Sequence, residues 1–129
     1  MPSVYVGTSL LNAKNAKDVI DRFTAAGINI TYDWTKHGQV FDEKLLEEYG
    51  IAELNGVRDA DLFFMLQPGR SGTHVELGIA LGLNKPVIIV TSERIELKTF
   101  YFVPNVFRFQ SVDEAFEFAI SHLTKNKDE

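Results

Sequence analysis

The chain has 129 residues, of which 45% are hydrophobic, and it carries a formal net charge of −5. These values describe one globular domain with one hydrophobic core, and the acidic balance leaves no basic surface for a nucleic acid polymer. The sequence has no cysteine and only three scattered histidines, so we expect no metal, no cofactor and no disulfide. The amino terminus enters the apolar run VYVG directly, which predicts a cytoplasmic protein without a membrane partner.

Strand and helix signals alternate along the chain. Short apolar runs predict strands at residues 4–7, at 28–32, between Asp61 and Pro68, at 86–90 and at 106–109. Parallel neighbours need a crossover, and right-handed crossovers dominate. The alternation therefore predicts a single domain over residues 1–129, an α/β Rossmann-like or flavodoxin-like three-layer sandwich. Its five-stranded parallel sheet carries helices on both faces.

The first two helices have recognisable ends. The first is predicted to end at Ala26, with Gly27 as a left-handed cap, and its buried face would be Ala16, Val19, Ile20 and Phe23. The second is predicted from its capping residue Asp42 to about Val57, with an interruption at Gly50.

The last two helices follow the third and fifth strands. One is predicted over residues 73–83, and the other begins at a capping box at Ser111. We expect the closing KNKDE to fray and the buried face of the last helix to be Ala115, Phe118, Ala119 and Leu123.

The turn PGRSG is the most informative stretch. It places a group of small, hydroxyl-bearing and basic residues at the carboxyl end of a strand and the start of a helix, namely Gly69, Arg70, Ser71, Gly72 and Thr73. Free backbone N–H groups and the helix dipole favour an anion at such a position. Neither GxGxxG nor GxxxxGK[ST] is present, so a dinucleotide site or a P-loop has little support.

Glu76 is predicted in the first turn of that helix. The helix N-terminus favours its ionised form, and a carboxylate placed against a sugar can form a covalent glycosyl intermediate. A structural alternative is equally visible in the sequence, because Thr73 to Glu76 has the spacing of a capping box in which Glu76 only bonds a backbone N–H.

The next candidates lie at the ends of the first two strands. Tyr5, Gly7 and Ser9 would line a ligand, although Tyr5 also suits a core and Ser9 a helix cap. Asp33 and Trp34 end the second strand, where Trp34 would either stack on a base or fill the core.

These residues together resemble the nucleoside 2-deoxyribosyltransferase superfamily, which includes the 2'-deoxynucleoside 5'-phosphate N-hydrolases. The resemblance runs over nearly the whole chain, through Tyr5-x-Gly7-x-Ser9, YDW, Glu53 with the later AD, and above all PGRSGTHVELGIALGLNKPV. It implies that Glu76 is the nucleophile and that Glu53, aligned with a family Asp, assists it or protonates the leaving base.

The resemblance also bears on the ligand and on assembly. The transferases carry an acidic residue in the loop where this chain has Arg70 and Ser71, so the loop is more like that of the nucleotide N-hydrolases. The resemblance implies a homodimer or higher homo-oligomer in which a residue before the last strand, for which Asn105 is the candidate, reaches the neighbour's site.

Two classes of function follow. The first is an enzyme that cleaves the N-glycosidic bond of a nucleoside or its 5'-monophosphate and passes the sugar to water or to another base. The second is a non-catalytic nucleotide-binding or signalling module of the same fold, in which Glu76 only caps a helix.

Overall fold

In a computed structural model, which describes residues 1–125, the chain forms five strands and four helices. The strands are β1 (Ser3–Gly7), β2 (Asn29–Ile30), β3 (Leu62–Leu66), β4 (Val87–Val90) and β5 (Val106–Phe109). The helices are α1 (Ala13–Ala25), α2 (Glu43–Asp59), α3 (Ser71–Gly82) and α4 (Val112–Lys125). Of the KNKDE tail, Lys125 ends α4 and residues 126–129 lie outside the described residues.

All five strands are parallel and lie in the order β2-β1-β3-β4-β5. Helices α1 and α4 cover one face of the sheet, where Phe23 meets Phe116 with ring centroids 4.8 Å apart. Helices α2 and α3 pack together on the other face. This arrangement confirms the predicted three-layer α/β sandwich with a flavodoxin-like strand order.

The core sits on both faces of the three central strands. Every residue of β1, β3 and β4 is buried, which explains why these strands read as continuous apolar runs instead of alternating ones. The predicted buried face of α1 is confirmed, since Ala16, Val19, Ile20 and Phe23 are its buried residues. Among residues 1–125, no helix has both the length and the apolar content that a bilayer crossing requires.

The predicted helix caps are largely confirmed. Gly27 has a φ of 81°, in the left-handed region that glycine tolerates. Asp42 accepts a hydrogen bond from the backbone N–H of Lys44, and the Ser111 hydroxyl accepts one from the N–H of Glu114.

Three details differ from the sequence prediction. Gly50 does not interrupt α2, because the helix's own hydrogen bonds and its packing on α3 outweigh the low helix propensity of one glycine. Only Asn29–Ile30 of the predicted second strand pairs with β1. In α4, Phe116 takes the buried position predicted for Phe118, which packs half-buried on β5.

Candidate active site

The strand order reverses between β1 and β3, so a crevice opens at the carboxyl ends of these two strands. Thr8 and Ser9 follow β1 there, and each bonds the carbonyl of Pro68 in the loop after β3. The crevice has a volume of about 440 Å³ and is bordered on its far side by α2 and the loop before it. Its position is the one in which open parallel sheets bind their ligands.

Glu76 lies on the floor of this crevice and is 8% exposed. The hydroxyl of Tyr5, itself fully buried in β1, donates a 2.6 Å hydrogen bond to Glu76 Oε2. The carboxyl of Glu53, from α2, lines the same crevice and interacts with that of Glu76 closely enough for each to shift the pKa of the other. Three of the predicted residues, from three different elements, therefore meet at one point.

Burial controls the charge of this cluster. Desolvation raises the pKa of Glu76 to about 8, opposed by the hydrogen bond from Tyr5 and reinforced by the nearby charge of Glu53. Desolvation also raises the pKa of Glu53, against the opposing effect of its hydrogen bond with Glu76 and of His37. Because the two carboxyls lie together in a poorly solvated place, the ionisation of both at once is disfavoured.

The sequence-based argument about Glu76 was wrong in two respects. Helix α3 begins at Ser71, two residues earlier than predicted, so Glu76 lies in its second turn instead of its first. Its carboxyl bonds Tyr5, not the backbone N–H of Thr73, so it is not the acid of a capping box. At this depth desolvation outweighs the helix dipole, and the pKa of Glu76 rises where the dipole argument had predicted an easily ionised acid.

Gly7 makes room for the cluster. A Cβ at this position would lie 2.8 Å from the ring of Phe63 and 3.1 Å from Glu76 Oε1. Both distances are shorter than ordinary van der Waals contacts, so a side chain here would displace the carboxyl or the ring. Gly7 therefore serves the site through its small size.

Only some of the predicted residues from Gly69 to Thr73 line the crevice. Arg70, Gly72 and Thr73 line it, whereas Ser71 is an exposed residue at the start of α3. Gly69 lies outside the lining; its N–H donates to Gln67 Oε1 at 2.9 Å, and a Cβ there would collide with Met65.

Ser9 carries the one buried side-chain polar atom that lacks a partner among residues 1–125. The residue is 4% exposed and lines the crevice beside Thr73 and Arg70. An unpaired buried hydroxyl costs roughly 1–3 kcal/mol, so this group is available to a ligand or a water molecule that enters the crevice.

The two residues predicted at the end of the second strand have separate places. Trp34 is buried and lines the crevice, and its indole N–H donates to the carbonyl of Val6 at 2.7 Å. Asp33 does not line the crevice; it caps the short 3-10 turn Trp34–Lys36 by accepting from Thr35 and faces Lys17. Although burial raises the pKa of Asp33, the hydrogen bonds from Thr35 and Lys17 hold it below its usual value.

Asn105 lies at the opposite edge of the sheet, just before β5. Its backbone has a φ of 77°, and its side-chain amide donates to the carbonyl of Asn84 at 3.2 Å. Within one chain it is therefore separate from the crevice, and it lines a larger apolar groove along the outer side of α3.

His37 was not among the residues that the sequence assigned to the site. The imidazole lines the crevice, stacks on Tyr49 with centroids 3.8 Å apart and an interplanar angle of 3°, and lies 3.1 Å from the Tyr32 hydroxyl. The only signal in the sequence was aromatic residues on both sides of a polar loop, which does not specify a stack. No group of three or more potential metal ligands is present in the described part of the chain.

No family model matches the chain, and no curated protein matches it in sequence. In three dimensions it is similar to the CMP N-glycosidase BcmB of Clostridium botulinum, with a TM-score of 0.65 and 17% identity over 92% of this chain and 98% of that chain. It is also similar to a conserved protein from Enterococcus faecalis V583, with a TM-score of 0.71 and 14% identity over 95% and 99%. At these identities the similarity concerns the fold alone, and it agrees with the three-layer α/β architecture that the sequence predicted.

The raised pKa of Glu76 predicts a pH-dependent stability. Folding raises this pKa from 4.5 to about 8, so the stability that the protonated carboxyl contributes below pH 4.5 is lost progressively as the pH rises to about 8. Glu76→Gln does not titrate. We compare the free energy of unfolding of Glu76→Gln with that of the original chain. The difference, variant minus original, should increase by on the order of 3 kcal/mol between about pH 5 and about pH 8.

Urea unfolding at both pH values measures this difference. Glu48→Gln, which removes an exposed acid from α2, is the matched control and should show almost no change with pH. A Glu76→Gln difference as flat as that of the control would contradict a buried, protonated carboxyl.

Proposed function

We propose that this protein is an enzyme that cleaves the N-glycosidic bond of a nucleoside 5'-monophosphate, with Glu76 as the nucleophile. The observation that carries the proposal is the cluster of Tyr5, Glu76 and Glu53 on the floor of the crevice. Two carboxyls that do not readily ionise together supply an acid and a nucleophile in one place, which is the pairing that glycoside cleavage requires. The N-glycosidase-like fold supports the same reaction class.

The chemical step balances within this cluster. The proton of Glu76 first passes to Glu53; ionised Glu76 then attacks the anomeric carbon, the bond from that carbon to the base breaks, and the Glu53 carboxyl gives this proton to the departing base. Water or a second base then attacks the glycosyl ester, releases Glu76, and returns a proton to Glu53.

Tyr5 has a supporting role in this step. Burial, followed by the charge of Glu76, raises the pKa of Tyr5 above its ordinary value. Its hydroxyl therefore stays protonated and donates a hydrogen bond to Glu76 Oε2. That bond stabilises the anionic nucleophile and fixes its orientation, while Oε1 faces Gly7.

The substrate's sugar and phosphate would lie toward the start of α3. The free N–H groups of a helix N-terminus, the unpartnered Ser9 hydroxyl, Thr73 and the Arg70 side chain meet there at the edge of the crevice. The base would lie toward α2, where the stacked His37 and Tyr49 and the buried Trp34 line the wall.

The open side of the crevice favours water as an acceptor of the sugar. Lys36, Gly38 and Gln39 in the loop before α2 are exposed, so this wall does not seal the site. We propose base release with water as the acceptor and exchange when a free base is supplied in excess.

The central test is incubation with a panel of nucleosides and 5'-monophosphates, with and without a free base, followed by chromatography. We expect the free base to appear from a monophosphate and turnover to fall by at least about 10³-fold in Glu76→Gln, which keeps the size of the side chain but removes the nucleophile.

Glu48→Gln serves again as the control and should retain full turnover, since Glu48 is exposed on α2. A folded Glu76→Gln variant with full activity would refute the role of Glu76. Absence of turnover on the whole panel would favour the binding module, in which the same crevice holds a nucleotide without cleaving it.

The Arg70 loop predicts a preference for phosphorylated ligands. Arg70→Ala removes a flexible cation from the mouth of the crevice but leaves the acid cluster intact. We expect it to weaken binding of a 5'-monophosphate by roughly 1.5–3 kcal/mol and to leave the affinity for the free nucleoside unchanged. Calorimetry with both ligands measures the difference. Arg58→Ala, at an exposed site on α2, is the control. Equal affinities for both ligands in the original chain would reject a phosphate site.

We also propose that the chain forms a homodimer through α3 and the FYFVP segment. Outside its buried Glu76, α3 carries no charged side chain of Asp, Glu, Lys or Arg; its outward residues include Val75, 60% exposed, and Leu83, just after the helix, is 49% exposed. A helix without a charged outer face is normally covered. Phe100, 64% exposed, and Asn105 line the groove beside α3, and the nearby Phe102 is 47% exposed.

Sedimentation velocity tests this assembly. We expect a species of twice the chain mass of 14.5 kDa, and we expect Val75→Glu, which places a charge on the exposed side of α3, to shift it toward the monomer. Val112→Glu, at an exposed position on α4, is the control and should stay dimeric. A monomer at all concentrations would refute the proposal.

A further inference from the structure

Tyr101 is a buried tyrosine that the acid cluster does not touch. It ends the 3-10 turn Thr99–Tyr101 in the segment between β4 and β5, and it is 1% exposed. Its carbonyl accepts a 2.8 Å hydrogen bond from Arg108 Nη1, which fixes the turn to β5. Its hydroxyl lies 2.7 Å from Gln67 Nε2 and 2.7 Å from His74 Nε2.

The two side chains that meet this hydroxyl hold opposite ends of one loop. Gln67 Oε1 accepts from the N–H of Gly69 at 2.9 Å, and His74 Nδ1 lies 2.8 Å from the carbonyl of Arg70. Gly69 and Arg70 are the two residues just before α3, and Arg70 is its N-cap. A single hydroxyl therefore connects the segment after β4 to both sides of the turn that leads into the crevice.

The chemistry of these groups permits one arrangement of protons. A carbonyl can only accept, so the proton of neutral His74 is on Nδ1 and its Nε2 is an acceptor. The Tyr101 hydroxyl then donates to His74 Nε2, and its oxygen accepts from the Gln67 amide. The three side chains are thus joined by a consistent set of hydrogen bonds, and a phenyl ring in place of Tyr101 would leave Gln67 and His74 without this partner.

We propose that Tyr101 is a positioning residue that holds residues 67–70 in the conformation in which they receive a phosphate. The expected effect on phosphate binding rests on the proposed function, whereas the positioning of residues 67–70 by Tyr101 does not. Tyr101 contacts neither Tyr5 nor Glu76, so its loss acts on the phosphate end of the site and leaves the nucleophile in place.

The test uses Tyr101→Phe, which keeps the buried ring and removes the hydroxyl. We expect the affinity for a 5'-monophosphate to fall about tenfold, the affinity for the free nucleoside to stay constant, and kcat for the free nucleoside to be unchanged. Equal losses for the two ligands would mean general damage to the site and would overturn the proposal.

Two further variants separate the hydrogen bonds from packing. His74→Ala removes one arm of the connection, and in the double variant with Tyr101→Phe the two losses should not add, because both changes break the same link. Thr99→Ala alters the same turn through an exposed side chain outside the groove, and the ratio of monophosphate to nucleoside affinity should not change. A fall in that ratio for Thr99→Ala, or full additivity in the double variant, would contradict the hydrogen-bonded link.

Nuclear magnetic resonance gives a measurement that does not depend on ligand binding. The ¹⁵N shifts of His74 should show the proton on Nδ1 in the original chain, and hydrogen exchange at the Gly69 amide should speed up at least about tenfold in Tyr101→Phe. A proton on Nε2, or unchanged exchange at Gly69, would overturn the positioning role. If neither ligand binds the original chain, the proposed function fails, and these two measurements still decide the role of Tyr101.

Discussion

The hydrogen bond from Tyr5 to Glu76 is the interaction around which the site is arranged. A carboxyl placed between a sheet and a helix loses most of its hydration, and it persists there only with a partner that satisfies it. Tyr5, on the neighbouring strand β1, provides this partner. Gly7, two residues further along β1, must then remain small so that the carboxyl has room.

The environment divides the crevice into two chemically distinct ends. Around Glu76 and Glu53, burial holds protons that would be lost in water. Around Ser9, Thr73 and Arg70, free donors favour a negative group. A nucleotide has a complementary polarity, with a phosphate at one end and a base that accepts a proton on departure at the other. This division of the crevice is what supports a nucleotide as the proposed substrate.

The sequence predicted the architecture well because buried parallel strands are continuous apolar runs and most helix caps are local. It also named Tyr5, Glu53 and Glu76, but it misjudged how Glu76 is held. The apparent capping box at Thr73 is a local pattern, whereas the bond to Tyr5 joins residues 71 positions apart and depends on the pairing of β1 with β3. His37 was missed for a related reason, since its stack on Tyr49 exists only when the loop folds back on α2.

The edges of the sheet bear on how copies of the chain can associate. β2 contributes only Asn29–Ile30, too short to template another strand. On the opposite edge, the guanidinium of Arg108 bonds the carbonyl of Val106 and lies over the Phe102 ring, so part of that edge is already occupied by the chain's own side chain. Both edges therefore resist strand-to-strand growth. A protein with ten phenylalanines is protected in this way from aggregating through its sheet, and the helical surface is left as the place for ordered self-association.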